Sequence, residues 1–347
     1  MTTSSFRDSP AKRIVREHWN TSFLRYLNSE FGFRYRYMGF PGTDLVDVKL
    51  WKDMIDEVIA FELPSPDSND RLWITKLRTN LKMLGIPGVA YLGSFEEVVI
   101  LRRDHDGQLY KQDKVITLYN LDFCDEIASK VDTLELGKKQ LRFEALRVIL
   151  QDQKQCYLNS GGSCHFIILL TVRNQIAAPK IRNFLREKLL EETRSYYENC
   201  SRSKPIPLMG NLVGSHAWSL KAFLYNSLRT YFGAPNICAL FFPIIKYTGT
   251  PVQLDKGVFF QSPMLHWMLF CQFGDPERPT PSFYPDDFLT KVTSLTIKGS
   301  SIIIDPEPGE MVNSSQSLSP VEWFQPFKPF FFTSGAVNVS KYTHIIL

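Results

Sequence analysis

Apolar and polar positions change period several times along the first half of the chain, and each change marks an element. Between residues 11 and 30 the apolar positions Ile14, Val15, Trp19, Phe23, Leu24 and Leu27 recur three to five apart, which predicts an amphipathic helix. From Phe33 to Met38 the pattern alternates, as in a strand with one buried face. A tight turn follows at Gly39-Phe40-Pro41-Gly42. Helical spacing then runs from Asp44 to Ile55, with Asp44 as the expected cap. A continuously apolar strand, Val58-Ile59-Ala60-Phe61, ends on an acid, Glu62. The stretch Phe33–Pro64 thus predicts strand, glycine turn, helix, strand: a βαβ unit of the nucleotide-binding kind.

Further on, the spacing predicts a helix near Arg71–Leu84, capped by Asn69 or Asp70 and stopped at Gly85, then a short strand Val89–Leu92. The segment from Phe95 to Asp113 fits either a helix or a hairpin turning at Asp106-Gly107. A strand Val115–Tyr119 leads into Asn120-Leu121-Asp122-Phe123. A long helix over 138–157 precedes the most apolar strand, His165–Val172, which must be buried on both faces. Helices are expected at 179–197 and 215–232, with strands at 237–246 and 264–273 and a short one at 301–304. No helical pattern separates the strands at 237–246 and 264–273, so they should pair antiparallel. The whole pattern predicts an α/β, Rossmann-like three-layer sandwich: a mostly parallel sheet with an antiparallel C-terminal hairpin strand. The expected division is a helical extension over 1–30, the α/β domain over 31–275 and a Pro/aromatic-rich extension over 276–347 that carries VEWFQPFKPFFF.

Composition narrows the class. The 347 residues are 44% hydrophobic, enough for a large core, and the net charge of +4 is too small for a nucleic-acid coat protein. None of the six cysteines forms a CxxC pair, which favours reduced, buried thiols over disulfides or zinc. No apolar signal core opens the chain and no window is long enough to span a membrane, so a cytoplasmic location is expected, with no membrane partner.

Candidate chemistry gathers where strands end. Gly39 and Gly42 would let the backbone approach a ligand, or simply serve a turn of positive φ. Glu62, directly after an apolar strand and the glycine unit, could accept hydrogen bonds from ribose hydroxyls. Asn120 or Asp122 could orient an acceptor nitrogen, and Phe123 could stack on a planar substrate. His165 and His266 lie in or beside apolar strands and are expected to be structural; His216 begins a predicted helix near a glycine loop.

This order of elements resembles the class I S-adenosylmethionine-dependent methyltransferases, a Rossmann-like family whose sheet ends with one inserted antiparallel strand. The resemblance covers roughly residues 30–275. It implies that Gly39, Phe40, Pro41 and Gly42 approach the methionine part of S-adenosylmethionine, that Glu62 binds the ribose and that Ser94 contacts the adenine. It implies further that Asn120, Asp122 and Phe123 face the substrate. Asn120-Leu121-Asp122-Phe123 matches the Asn-Pro-Pro-aromatic signature of amino-methylating members only in its first and last residues, and Tyr37 and Met38 stand where the family places an acid before its glycines. The expected activity is methyl transfer to a nucleic-acid base or another amino group. The alternative is a catalytically degenerate interaction subunit of a bacterial defence or modification complex, with a protein partner docked on the aromatic tail. A third reading takes Asp44 with Asp47-Val48-Lys49 as the acids and lysine of a metal-dependent nuclease.

Overall fold

The computed structural model describes residues 12–13, 15–64, 71–123, most of 125–160, 164–173 and the strand segments 237–241, 244–248, 252–253, 259–260, 263–273, 303–305 and 344–346. The expected helices at 179–197 and 215–232, His216 and the aromatic tail lie outside these residues.

A π-helical turn over Val15–Asn20 runs directly into α1, Thr21–Phe31. The helical spacing read from the sequence is real: Phe23, Leu24, Tyr26 and Leu27 are buried on one side of α1. β1 (Tyr35–Gly39), a short α2 (Val46–Leu50) and β2 (Ile55–Glu62) form the first βαβ unit. α3 (Leu72–Leu84), β3 (Gly88–Leu92), α4 (Phe95–Leu101), β4 (Leu118–Asp122), α5 (Arg142–Ser160) and β5 (Cys164–Arg173) follow. Beyond these lie β6 (Ile237–Phe241), β7 (Ile244–Thr248), the small pair β8 (Val252–Gln253) and β9 (Phe259–Phe260), and the long β10 (Pro263–Phe273). β11 (Ile303–Asp305) and β12 (His344–Ile346) complete the described strands.

The main sheet runs β3-β2-β1-β4-β5, all parallel, and then turns antiparallel. β10 pairs with β5 along ten residues, Met264↔Arg173 to Phe273↔Cys164, in the antiparallel sense. β6 and β7 both lie antiparallel on the other side of β10, with β12 outside β6 and β11 outside β7. One core fills each face of the sheet. The first gathers Phe61, Phe95, Tyr119, Phe123, Phe166 and Trp267 under α4 and α5. The second gathers Phe23, Leu24, Tyr37, Trp51, Ile167 and Phe270 under α1 and α3. Alternating strand residues divide between them: Ile59 and Phe61 face one core, Val58 and Ala60 the other. β5 supplies both, as its unbroken apolar run requires.

Several boundaries differ from the sequence reading. The helix expected over 44–55 shrinks to α2 because Ile55 is taken by β2 opposite Tyr35, and Tyr35 N donates to Met54 O at 2.8 Å. Asp44 does not cap it; it is exposed and pairs with Lys76 at 2.8 Å, while Leu45 starts α2 with φ 54°. The strand expected at 115–119 starts only at Leu118. Gln153 of α5 takes both backbone groups of Ile116, accepting from its N–H at 2.9 Å and donating to its carbonyl at 2.7 Å, so no ladder bond is available there. The strand expected at 237–246 is split. Phe241 opposes Leu269 and Ile245 opposes His266, so four steps on one side face three on the other. The register of β10 therefore slips by one residue between β6 and β7. The ambiguous segment after Phe95 is both things in turn: α4, then a hairpin with Arg103 opposite Leu109 and Gly107 at its turn.

Candidate functional site

Strand order reverses between β1 and β4. In open α/β sheets ligands bind beyond the carboxyl ends of the strands at such a reversal. Gly39, the last residue of β1, is the register partner of Asn120, which lies two residues before the end of β4 at Asp122. A Cβ on Gly39 would stand 2.1 Å from Asn120 O, so glycine is demanded by the close approach of β4. The Gly39 site is therefore filled by the protein's own backbone, and Phe40 N donates to Asn120 O at 3.4 Å. Of the two glycines only Gly42 takes positive φ, +62°, and a Cβ there would meet nothing within 4 Å. Pro41 is buried, and Gly42 is exposed with its carbonyl accepting from Leu45 N at 3.2 Å.

Leu45 is fully buried in the left-handed region, an arrangement rare for a branched apolar residue. It sets the phase of α2. Asp47 then points inward, whereas Lys49 points to solvent and Asp44 is held by Lys76. The acids and lysine of the nuclease reading are thus dispersed, and among the described residues no group of three His, Cys, Asp or Glu could hold a metal.

Asp47 is the centre of a buried polar network on the α1 side of the sheet. The Asn120 amide donates from Nδ2 to Asp47 Oδ2 at 2.7 Å and to the Tyr37 hydroxyl at 3.3 Å. Arg16 of the π-helical turn forms an ion pair with the other Asp47 oxygen. Burial raises the Asp47 pKa; Arg16 opposes the shift and Asp122 adds to it. Burial likewise lifts the Tyr37 hydroxyl far above its usual range, with Asp47 adding to the rise. Asp122, two residues beyond Asn120 on the same strand face, pairs with Lys12 at 2.5 Å. Asn20 Oδ1 lies 2.9 Å from His266 Nε2, and His266 Nδ1 lies 2.8 Å from Thr171 Oγ1. Burial lowers His266 to a pKa of about 4, opposed by Asp122, so the ring is neutral at pH 7. Nε2–H donates to the Asn20 oxygen and Nδ1 accepts from the Thr171 hydroxyl. Lys12, Arg16 and Asn20 are spaced by four and form one polar stripe laid across the strand ends.

The remaining sequence candidates divide between two faces. Alternation along β2 puts Glu62 with Val58 and Ala60, on the side of Tyr37 and Asn120. Its Oε1 accepts from Leu63 N at 3.1 Å. Burial raises its pKa to about 7, with the Leu63 N–H opposing. Ser94 is a helix cap: its hydroxyl accepts from Glu97 N at 3.1 Å at the start of α4. Phe123 and Phe40 meet on the opposite face, ring centroids 5.2 Å apart, in an aromatic cluster with Phe61 and Phe95. The Arg142 guanidinium covers Phe123 at 4.8 Å and is held by Glu96 at 2.9 Å.

The structure therefore brings Gly39, Glu62, Asn120 and Asp122 to one end and one side of the sheet, and places Phe40, Phe123 and Ser94 in packing and capping roles. Sequence reasoning passed over Lys12 and Arg16, and read Tyr37 only as standing where an acid was expected. The spacing of Lys12, Arg16 and Asn20 was the available signal. His165 is structural as expected, stacked on Phe33 at 3.5 Å, with burial lowering its pKa to about 4.

No family model and no curated protein matches the chain. Solved structures to which the chain is similar include a putative methyltransferase from Bacillus halodurans, 11% identical, covering 74% of this chain and 98% of that one with a TM-score of 0.33. The O-methyltransferase TomG from Streptomyces achromogenes, in complex with S-adenosylmethionine, is 7% identical, with 78% and 93% covered and a TM-score of 0.32. A putative RNA methyltransferase from Pyrococcus horikoshii is 11% identical, with 77% and 93% covered and a TM-score of 0.30. Among the described residues no helix is long and apolar enough to cross a membrane. The fold assignment rests on strand order: β3-β2-β1-β4-β5 in parallel, followed by β10 inserted antiparallel between β5 and the β6–β7 pair. That is the Rossmann-like, class I methyltransferase-like fold.

Proposed function

We propose that the chain binds S-adenosylmethionine at the carboxyl ends of β1 and β2 and methylates an amino group presented beside Asn120. The observation that carries this reading is Glu62. Its carboxylate is half-buried at the end of β2, one oxygen is engaged among the described residues only by the next backbone N–H, and it faces the Asn120 side of the sheet. A buried acid with a spare acceptor fits a pair of ribose hydroxyls. The cofactor supplies an activated methyl group on a sulfonium, so the protein's work is alignment and exclusion of water. Asn120 contributes alignment. Asp47 takes its amide N–H, which leaves Oδ1 to accept from an incoming amino group.

Adding S-adenosylhomocysteine, the demethylated product, should raise Tm, and Glu62→Ala should remove the shift. No shift in the wild type at millimolar ligand would overturn the reading.

One observation favours a non-catalytic, methyltransferase-fold interaction subunit. Both acids beside Asn120 are already paired with cations of the same chain, Lys12 and Arg16. Under that reading the protein forms a stable stoichiometric complex and S-adenosylhomocysteine leaves Tm unchanged.

A further inference from the structure

We infer that His105, held by the buried Glu97, reads the 6-amino edge of the cofactor's adenine, the part that the family resemblance gives to Ser94. This rests on the cofactor reading above and names the residue that makes the site selective for a 6-aminopurine.

With the ribose on Glu62 and the methyl group beside Asn120, the cofactor runs from β2 toward β4. Base and methionine chain leave a ribose ring at opposite ends, so the base points the other way, toward β3. Gly93, directly after β3, donates its N–H to Glu62 O at 2.9 Å. It has φ +140° and no side chain, and the His105 ring lies against it: a Cβ there would stand 3.2 Å from both Cδ2 and Nε2 of that ring. Ser94, the next residue, is buried, and its hydroxyl is engaged by Glu97 N.

The imidazole is fixed through its backbone and through one nitrogen. His105 N donates to Leu92 O at 2.9 Å and Leu92 N donates to Asp104 Oδ2 at 3.1 Å, so Asp104 and His105 are tied along the outer edge of β3. His105 Nε2 lies 2.6 Å from Glu97 Oε2. The other Glu97 oxygen accepts from Glu135 N at 2.8 Å, which fixes the carboxylate in turn. A carboxylate only accepts, so in the neutral ring Nε2 carries the proton and Nδ1 keeps its lone pair. Nδ1 makes no hydrogen bond among the described residues, and the His105 side chain is 17% exposed against 2% for Glu97. An oriented ring with an open acceptor suits a donor. Adenine offers one in its 6-amino group, whereas a 6-oxopurine would set its own acceptor against the lone pair.

The test uses the full-length protein with S-adenosylhomocysteine and S-inosylhomocysteine, which carry a 6-amino and a 6-oxo group on otherwise matching frames. Binding is read by calorimetry and as the Tm shift from each variant's own ligand-free Tm, so a change in stability does not mimic the result. The wild type should bind S-adenosylhomocysteine about tenfold more tightly, the difference between one hydrogen bond made and one opposed. Glu97→Gln should reverse the order. The Glu135 N–H keeps the amide oxygen, so the NH2 group faces Nε2, and the ring proton moves to Nδ1, which becomes a donor. His105→Leu should bind the two ligands equally. A wild type that does not prefer the 6-amino ligand, or a Glu97→Gln variant that keeps the wild-type order, overturns the inference and leaves the cofactor reading standing. Absence of any wild-type shift with either ligand at millimolar concentration sinks the cofactor reading and the inference with it.

Discussion

The Asn120 amide donates from Nδ2 to Asp47 Oδ2 across 2.7 Å, and this bond ties β4 to the connection that follows β1. Replacing Asn120 by Leu leaves buried Asp47 without that donor. The expected cost is about 1–3 kcal/mol, the range for stranding a buried polar partner. It should appear as a lower urea midpoint at unchanged slope. Asn120→Asp sets a second carboxylate against Asp47 and should cost more at neutral pH, with part of the loss recovered on acidification.

The two glycines of the first turn should respond differently. Gly39→Ala forces a methyl group to within 2.1 Å of Asn120 O, so β1 and β4 must part. The folded protein should be lost or destabilised by more than about 3 kcal/mol, since backbone cannot move aside as a side chain can. Gly42→Ala meets no atom and should cost only about 1 kcal/mol, the strain of a positive φ. Equal losses in the two variants, measured by urea unfolding, would contradict this picture.

Glu62 gives stability a pH dependence of stated sign. Its carboxyl titrates near 7 in the fold against 4.5 ordinarily, because burial disfavours the anion. The folded state holds the proton more tightly than the unfolded chain does. Its contribution is fully present below about pH 4.5, declines above that and is gone as pH passes about 7. Glu62→Gln should flatten this decline, gaining on the wild type as pH rises from 4 to about 8. Affinity for S-adenosylhomocysteine should move the other way in the wild type, rising as the carboxylate ionises to accept the ribose hydroxyls.

Arg142 and Glu96 form a second buried pair, 9% and 4% exposed. Arg142→Met leaves the acid uncompensated and uncovers the Phe123 ring, which should cost about 3–5 kcal/mol. Arg142→Met with Glu96→Met should recover most of the loss, because no buried charge remains. A double-mutant cycle on the urea midpoints measures the coupling.

Much of the fold was legible because it rests on local pattern. The alternation in β1, the unbroken run of β5 and the missing helix before β10 each follow from burial on one face or two. What escaped the sequence depends on partners far along the chain. Residue-by-residue propensity places a strand at Val115, and only the side chain of Gln153, distant in sequence, removes Ile116 from the ladder. The candidate site follows the same rule. Glu62 and Asn120 were visible as polar residues closing apolar strands. Asp47 looked like a helix-surface acid, because nothing local reports that Leu45 turns α2 inward. Lys12 and Arg16 drew no notice, because their acids lie on α2 and β4.

The hydrogen bond between Asn20 and His266 joins residues 246 positions apart. A ribosome adds roughly 5–20 residues per second, so the interval between making the two is about 12–50 s. Throughout that interval the polar stripe of Lys12, Arg16 and Asn20 exists without its last docking point. During synthesis the ion pairs of Lys12 and Arg16 and the Thr21–Trp51 bond can form as soon as β4 is made, while the Asn20 side chain waits for β10. A nascent chain stalled short of β10 should therefore hold this segment by its early ties alone, and the finished protein adds the Asn20–His266 bond as one of its last steps.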